Sequence, residues 1–175
     1  MKSFEPGSAE SYLALARSWA ATVTVVTVRR APERASTGAP EFDGFTATAF
    51  MTVSMSPPII AVSATVASSA SAMLREASAF AVSLLAPTQA DLAASFARPA
   101  AERVGWWDRV PHVLDQSGVP LIGGGAGSWS ARVRQLIDAG DHTLVLGDVT
   151  AIHLGVASET LVYHNRVFGR VAPLG

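Results

Sequence analysis

Two extended segments joined by a proline corner constrain the fold of this chain more than any other feature. The stretch Gly44–Thr65 reads GFTATAFMTVSMSPPIIAVSAT, which predicts one strand over Gly44–Ser54 and a second over Ile59–Thr65. Pro57 and Pro58 stand between them and cannot donate hydrogen bonds to a β-ladder. The stretch therefore indicates two strands that meet at a corner or at the edge of a sheet.

The first of these segments has small side chains where a strand normally carries bulk. Its small and hydroxyl-bearing positions are Thr46, Ala47, Thr48 and Ala49. Small residues in a strand allow a ligand to approach the backbone closely. The pattern predicts a site for a flat ligand along this strand, although the stretch alone does not identify the ligand.

The rest of the chain adds strands rather than alternating strands and helices. The run TVTVVTV at Thr22–Val28 is β-branched on both faces, which is typical of a strand covered on both sides. Ser130–Ile137 alternates as a half-exposed strand, and Asp141–Leu154 predicts a long strand. Seven or so strands with few helices favour a closed antiparallel barrel, mainly β with peripheral helices. No repeat or composition break divides the chain, so residues 1–175 are interpreted as one domain.

Local signals place the remaining elements. Ser8 is a candidate N-cap for a helix through about Ala20, and three serines announce a second helix over Ala67–Ala79. Arg30–Asp43 is rich in Pro, Gly, Ser and Ala and predicts a long hairpin loop. Gly147 predicts a bulge in the long strand, and Asn165 predicts the turn of a closing hairpin.

Composition restricts the classes of partner. Hydrophobic residues make up 49% of the chain and charged residues only 15%, against about 25% in ordinary soluble domains. So little charge favours a surface covered by a second copy, hence a homodimer. The formal net charge is −1 with scattered basic residues, so no nucleic-acid partner is expected. No apolar run reaches about 20 residues and no signal core is evident, so we expect no membrane span and a cytoplasmic location.

A cluster of serines is the first candidate for binding a ligand group. Ser68, Ser69 and Ser71 stand at the predicted start of a helix, where unpaired N–H groups and the helix dipole favour a phosphate. The simpler interpretation is an N-cap with spare serines, and on this feature alone it is favoured. The GGGAG run at Gly123–Gly127 leads into a strand and is interpreted as a turn, not as a dinucleotide fingerprint.

Histidines give one further candidate. The chain has no cysteine, and none of its four histidines is paired with another at metal-ligand spacing, so no metal site is expected. His142 differs from the others because Gly140-Asp141-His142 precedes the long strand. A turn capped by Asp141 and a loop imidazole facing a ligand are equally compatible with these residues.

The order of the motifs resembles the flavin reductase component of two-component flavin-dependent monooxygenases, members of the flavin reductase-like domain family. The resemblance runs from about Leu15 to Phe168, and its most telling part is Gly-Asp-His with the strand that follows. The segments that carry it are WAATVTVVTV, GFTATAF, TVSMSPPIIAVS, FAVSLLAPTQADLAASFA, GVPLIGGGAGSWSARV and AGDHTLVLGDV. Where many members have an arginine or lysine near the phosphate, this chain has Ser69 and Ser95.

The resemblance implies a dimeric antiparallel split β-barrel that transfers a hydride from NADH or NADPH to FMN, or to FAD, and supplies a partner monooxygenase. His142 is the implied catalytic residue, and it approaches the nicotinamide together with Phe168 and Arg170. The implied flavin contacts are Thr46, Ala47, Thr48, Ala49, Ser54, Ser63, Ala64, Thr65, Ser68 and Ser69. Two alternatives remain open: another split-barrel flavin oxidase or oxidoreductase, and a flavin-binding protein without turnover.

Overall fold

Runs of β-branched and apolar residues, separated by turns, fold into one large sheet and two small ones. The computed structural model describes residues 8–30, 41–103 and 105–172. The helices are α1 (Ala9–Arg17), α2 (Ser69–Glu76) and α3 (Ala90–Phe96), with 3₁₀ turns at Pro87–Gln89 and Ala100–Arg103. The strands are β1 (Ala21–Thr22), β2 (Thr24–Arg29), β3 (Phe42–Ala47), β4 (Phe50–Met55), β5 (Pro58–Thr65), β6 (Ala79–Leu84), β7 (His112–Leu114), β8 (Pro120–Ile122), β9 (Gly127–Ala139), β10 (His142–Leu154), β11 (Leu161–His164) and β12 (Val167–Arg170).

The large sheet has seven antiparallel strands in the order β3-β2-β6-β9-β10-β5-β4, and the small sheets are β1-β11-β12 and β7-β8. The prediction of a mainly β antiparallel fold with peripheral helices is confirmed, and the open sheet is consistent with a split barrel. The prediction of a closed barrel is wrong, because β3 and β4 remain the two edges of the large sheet. The chain passes from one edge to the other at Thr48–Ala49, and the carbonyl of Ala49 accepts from Ser63 N at 2.9 Å, which extends the β4–β5 ladder by one step.

The segment Gly44–Ser54 is two strands, so the prediction of one continuous strand is wrong. The chain leaves β3 at Thr48 and enters β4 at Phe50, and these two strands lie at opposite edges of the sheet. Both halves have similar small and apolar residues, so the sequence contains no breaker that marks the crossing. The consequence is an exposed connection, Thr48–Ala49, between two sheet edges.

Several local predictions are confirmed. A tight turn at Ser56-Pro57 joins β4 to β5, and the hairpin around Asn165 joins β11 to β12. The register of β9 and β10 shifts at Gly147, where an added Cβ would lie 2.6 Å from the ring of Phe80. Because no larger side chain fits against that ring, the bulge needs glycine at this position.

The hydrophobic core lies between the curled sheet and α2. Fully buried side chains from several strands meet Leu74 of α2 and Phe80 of β6. The strand residues of this cluster include Val26, Val28, Ile60, Val62, Val82 and Val145. The core fixes the face of α2 that packs on the sheet, and this positions the N-terminus of α2 beside β5.

The predicted helix starts are confirmed at two serines. Ser8 caps α1, and Ser68 caps α2 by accepting from Ser71 N at 3.2 Å. Helix α1 has no buried residue, whereas α2 and α3 both pack on the sheet. The centre of the predicted loop Arg30–Asp43 lies outside the described residues, and Asp43 itself belongs to β3. Among the helices of the described residues, none combines the length and the apolar character that a bilayer span requires.

Candidate functional site

A cavity of about 460 Å³ lies between β3, β5, the start of α2 and the end of α3. Every predicted flavin contact except Ser54 lines it, and so does His142. The full lining comprises Gly44, Phe45, Thr46, Ala47, Thr48, Ala49, Ser63, Ala64, Thr65, Ser68, Ser69, Ala70, Met73, Phe96, Ala97, Arg98, Pro99, Arg103 and His142. The fold thus brings together segments that are up to about a hundred residues apart in the chain.

Ser54 lies outside this cavity. It pairs with Ile59 in the β4–β5 ladder, and its hydroxyl accepts from Ser56 N at 3.3 Å. The crossing at Thr48–Ala49 carries the chain away from the cavity before Ser54 is reached. The side chain therefore serves the turn between β4 and β5.

The crossing Thr48–Ala49 forms one end of the cavity, and it has only small side chains. Ala49 is tied to β5 through the hydrogen bond from Ser63 N to its carbonyl. The hydroxyl of Thr46 donates to Ala93 O at 2.6 Å, so it joins β3 to α3 instead of facing a ligand. This end of the cavity offers backbone groups and small side chains, the surroundings that a flat ring can approach closely.

Another part of the cavity is suited to an anion, because it contains the N-terminus of α2. Ser68 uses its hydroxyl to donate to Thr65 O at 2.6 Å and to accept from Ser71 N. The N–H groups of Ser69 and Ala70 have no acceptor within the described part of the chain. First-turn N–H groups and the positive helix end favour a phosphate. Ser69 and the backbone therefore offer free donors, whereas the hydroxyl of Ser68 is engaged in the cap.

Arg103 is a cavity residue that the sequence interpretation missed. Its side chain is 7% exposed, and its guanidinium donates to Gly44 O at 2.8 Å and lies 3.3 Å from Asp43 Oδ1. The guanidinium also stands 5.0 Å from the ring centre of Phe96. Asp43 is itself buried and forms a second ion pair with Arg30. Two arginines on one carboxylate leave a net positive charge at the cavity wall.

Arg98 is the second missed cation. It is exposed at the rim of the cavity, and its guanidinium has no hydrogen bond or ion pair among the residues that the structure describes. Ser95, which stands where many family members have a basic residue, donates instead to Asp91 O within α3. The sequence analysis assigned no role to either arginine, because no local signal separates them from solvated ones.

His142 begins β10 beside the anion-binding end of the cavity. Its Nδ1 lies 2.7 Å from Asp141 Oδ1, and its Nε2 lies 3.4 Å from the hydroxyl of Thr65. The hydrogen bond from His142, together with the imidazole charge, holds the pKa of Asp141 below its ordinary value of 3.8. Because an ionised carboxylate only accepts, this arrangement keeps the proton on Nδ1 and turns Nε2 toward Thr65.

Phe168 and Arg170, the other predicted nicotinamide contacts, do not line the cavity in this chain. Phe168 packs against Tyr163 with ring centres 5.2 Å apart, and Arg170 lies 3.9 Å from Glu159. In the described part of the chain, no three His, Asp or Glu side chains lie close enough together to hold a metal ion.

Fold and cavity together define a split-barrel domain with one small-residue ligand slot and one cationic end. The family model of the flavin reductase like domain matches residues 16–172, so the chain belongs to this family. Its relatives include the NADH:FMN oxidoreductase of Rhodococcus qingshengii, 36% identical over 171 residues that cover 95% of this chain and 84% of that protein.

Two further similarities come from a monooxygenase system and from a solved structure. The reductase component of the 4-hydroxyphenylacetate 3-monooxygenase of Thermus thermophilus is 33% identical over 158 residues, which cover 90% of this chain and 93% of that protein. The NADH:FAD oxidoreductase of Streptomyces globisporus C-1027, solved with NAD and FAD fragments, has a TM-score of 0.85 and 29% identity, covering 99% of this chain and 98% of that one.

Proposed function

We propose that the protein is an NAD(P)H-dependent flavin reductase that transfers a hydride from NADH or NADPH to FMN or FAD. The observation that carries this proposal is the cavity, where a slot of small residues at Thr48–Ala49 and a cationic end with Arg98 and Arg103 share one lining. A flavin nucleotide has a flat ring and a phosphate joined by a polar chain, so its groups match this distribution. The names of the relatives, which include NADH:FMN and NADH:FAD oxidoreductases, support the same reaction.

The residues are assigned by the groups that they offer. Thr48 and Ala49 contact the ring, and Ser63, Ala64 and Thr65 follow the ribityl chain. Ser69, the first N–H groups of α2, Arg98 and Arg103 bind the phosphate. Ser68 acts through its cap, which fixes the N-terminus of α2.

A bound flavin supplies the chemistry of hydride transfer, in which a C4–H bond of the dihydronicotinamide breaks, an N5–H bond of the ring forms, and the oxidised dinucleotide leaves. The protein needs no nucleophile or metal for this reaction. Its residues would hold the two rings together, since transfer of this kind needs reacting atoms about 3–3.5 Å apart. In place of the implied nicotinamide contact, His142 stands beside the anion-binding end of the cavity, so it is assigned as a group that orients the bound flavin and not as an obligatory acid.

The experiment compares NADH and NADPH oxidation with FMN, FAD and riboflavin side by side, under conditions in which flavin reduction is followed directly. We expect saturable oxidation that depends on added flavin. A protein that binds flavin and oxidises neither dinucleotide would contradict the proposed reaction and favour a flavin-binding protein without turnover.

We also propose that the chain forms a homodimer. Apolar side chains of β4 and of the end of β10 are exposed, among them Met55, Ile152 and Leu154, which are 94%, 62% and 92% exposed. Exposed apolar surface of this kind is typical of an interface. Sedimentation should give twice the chain mass, and Leu154→Glu should shift the distribution toward the monomer. A monomeric wild-type protein would contradict the proposal.

One relative, the Thermus thermophilus protein, is the reductase component of a monooxygenase, and this supports a partner monooxygenase. We propose that this chain supplies reduced flavin to such a partner. Adding a flavin-dependent monooxygenase that lacks its own reductase should couple NADH oxidation to product formation, and the absence of coupling despite rapid flavin reduction would contradict this role.

A further inference from the structure

The hydride donor must reach the flavin ring, and this requirement restricts where its site can lie. If the ring occupies the slot at Thr48–Ala49, as the proposed function holds, the site of the donor must share that wall with the flavin cavity. In the part of the chain that the structure describes, two further cavities have Thr48 in their lining, and one of these two has Ala49 as well. These two cavities are therefore the candidates for the donor.

The larger candidate, of about 690 Å³, is a cleft between α1 and the β11–β12 hairpin. Trp19 follows α1 and Tyr12 lies within it, and these side chains are 77% and 70% exposed. Tyr163 lines the opposite wall of the cleft. Asn165 N donates to Arg17 O at 2.9 Å, so the hairpin is attached directly to the end of α1. The cleft thus exposes aromatic side chains on and just after α1, a helix that has no buried residue. Planar rings stack favourably on aromatic side chains.

Charge distinguishes this cleft from the smaller candidate. Arg17 and Arg166 both line the cleft, and neither guanidinium has a hydrogen bond or an ion pair within the described residues. None of the described residues that line the cleft is acidic. The smaller cavity has a volume of about 450 Å³, and none of the described residues in its lining is charged. Only the cleft combines aromatic walls, two available cations and the shared crossing.

We propose that the cleft between α1 and the β11–β12 hairpin binds the nicotinamide dinucleotide that donates the hydride. Arg17 and Arg166 bind its pyrophosphate, Trp19 and Tyr163 contact its rings, and the nicotinamide extends over Thr48–Ala49 to the flavin. Arginine suits this task because its planar guanidinium binds phosphate oxygens in pairs. The donor then lies at the hairpin that contains Phe168 and Arg170, but the hairpin residues that contact it are Tyr163 and Arg166.

The test uses the double variant Arg17→Gln/Arg166→Gln. Its matched control, Arg109→Gln/Arg132→Gln, removes two exposed arginines that line neither the flavin cavity nor the cleft nor the smaller cavity. NADH binding to the flavin-free protein is measured by calorimetry, and FMN binding is measured separately. Loss of charge-assisted hydrogen bonds should weaken NADH binding about tenfold or more, while FMN affinity stays within about twofold in both double variants.

Anaerobic stopped-flow reduction of FMN gives a second readout. The apparent dissociation constant of NADH should rise as in calorimetry, while the limiting rate of flavin reduction stays near that of the wild type. Trp19→Ala, in a part of the chain without buried side chains, should also weaken NADH binding without unfolding the protein.

The possible outcomes separate this proposal from the proposed function. Suppose that the wild-type protein reduces FMN with NADH and that the double variant binds NADH as tightly as the control. NADH binding in the cleft would then be refuted, and the reductase function would stand. If the double variant is monomeric where the wild type is a dimer, and keeps its NADH affinity, the cleft binds a second copy of the chain and not NADH. A wild-type protein that binds NADH and FMN without hydride transfer would refute the reductase alone.

Discussion

The flavin cavity and the α1 cleft meet at Thr48–Ala49 but are constructed in opposite ways. The cavity is lined by sheet strands and by helices that pack on the sheet, and its buried cation, Arg103, is held by the buried carboxylate of Asp43. The cleft is formed by a helix without buried residues and a hairpin, and its arginines have no partner among the described residues. One site is therefore fixed by the core, and the other depends on surface elements.

This difference fits two ligands with different tasks. A ring that must be held at a defined distance benefits from rigid walls, because small displacements reduce the rate of transfer steeply. A donor that enters and leaves in every turnover benefits from elements of low local stability, which have few buried contacts. Variants on either side of the crossing test whether the two sites differ in this way.

The largest effect is expected from filling the crossing itself. Thr48→Trp places a bulky side chain in the lining of both sites, so FMN affinity should fall by about 100-fold or more and flavin reduction by NADH should be lost. Isothermal titration and the oxidation assay measure the two losses. Thr88→Trp, at an exposed position outside these cavities, is the control. Normal FMN affinity in Thr48→Trp would refute the ring slot.

The next largest effect tests whether the buried ion pairs at the flavin cavity stabilise the folded protein. Asp43→Asn leaves Arg30 and Arg103 without their shared carboxylate, and breaking a buried ion pair costs about 3–5 kcal/mol of unfolding free energy. Urea denaturation measures this loss. Glu41→Gln removes the partner of Arg29 from an exposed pair, and its cost should stay below about 1 kcal/mol. Equal costs in the two variants would remove the contrast between the core and the surface.

A smaller effect distinguishes the arginines of the flavin cavity from those of the cleft. Arg98→Gln should weaken FMN binding about tenfold and leave riboflavin binding unchanged, because only FMN has the phosphate. Arg17→Gln, on the cleft side, should leave the affinities for FMN and riboflavin unchanged. If Arg98→Gln weakens both flavins equally, the rim arginine does not bind the phosphate.

The smallest effect concerns the pH dependence of stability. His142 lowers the pKa of Asp141 from 3.8, so the pair stabilises the folded state above that pH, and the stabilisation is lost as the pH falls through the folded pKa. His142→Gln should unfold at a slightly lower temperature than the wild type near pH 5, and the two melting temperatures should converge as the pH falls below the ordinary value of 3.8. A difference that grows toward low pH would contradict this sign.

The sequence predicts the parts of the fold that depend on local signals. The proline turn, the bulge at Gly147, the Asn165 hairpin and the serine caps all follow from residues whose backbone preferences act within a few positions. The break at Thr48–Ala49 could not be predicted, because its flanks have the same composition and the crossing depends on which sheet edge each half joins. Tertiary pairing decides this point, and the local pattern does not encode it.

The candidate site divides in the same way. The resemblance pointed to the small residues of β3, the serines of α2 and His142, and these line one cavity. Arg103 was missed because its partner Asp43 is 60 residues away and only packing brings them together. The cleft was missed because α1 reads as an ordinary amphipathic helix, and the arginines at its rim, Arg17 and Arg166, come from opposite ends of the chain.

The most direct test of the shared crossing is a methyl NMR titration of the unmodified protein with FMN. The flavin ring should shift the methyl resonances of Thr48 and Ala49 more strongly than that of Ala21, which lines only the cleft side of the crossing. If FMN binds while the Thr48 and Ala49 methyl resonances stay in place, the ring lies elsewhere and the two sites do not meet at this crossing.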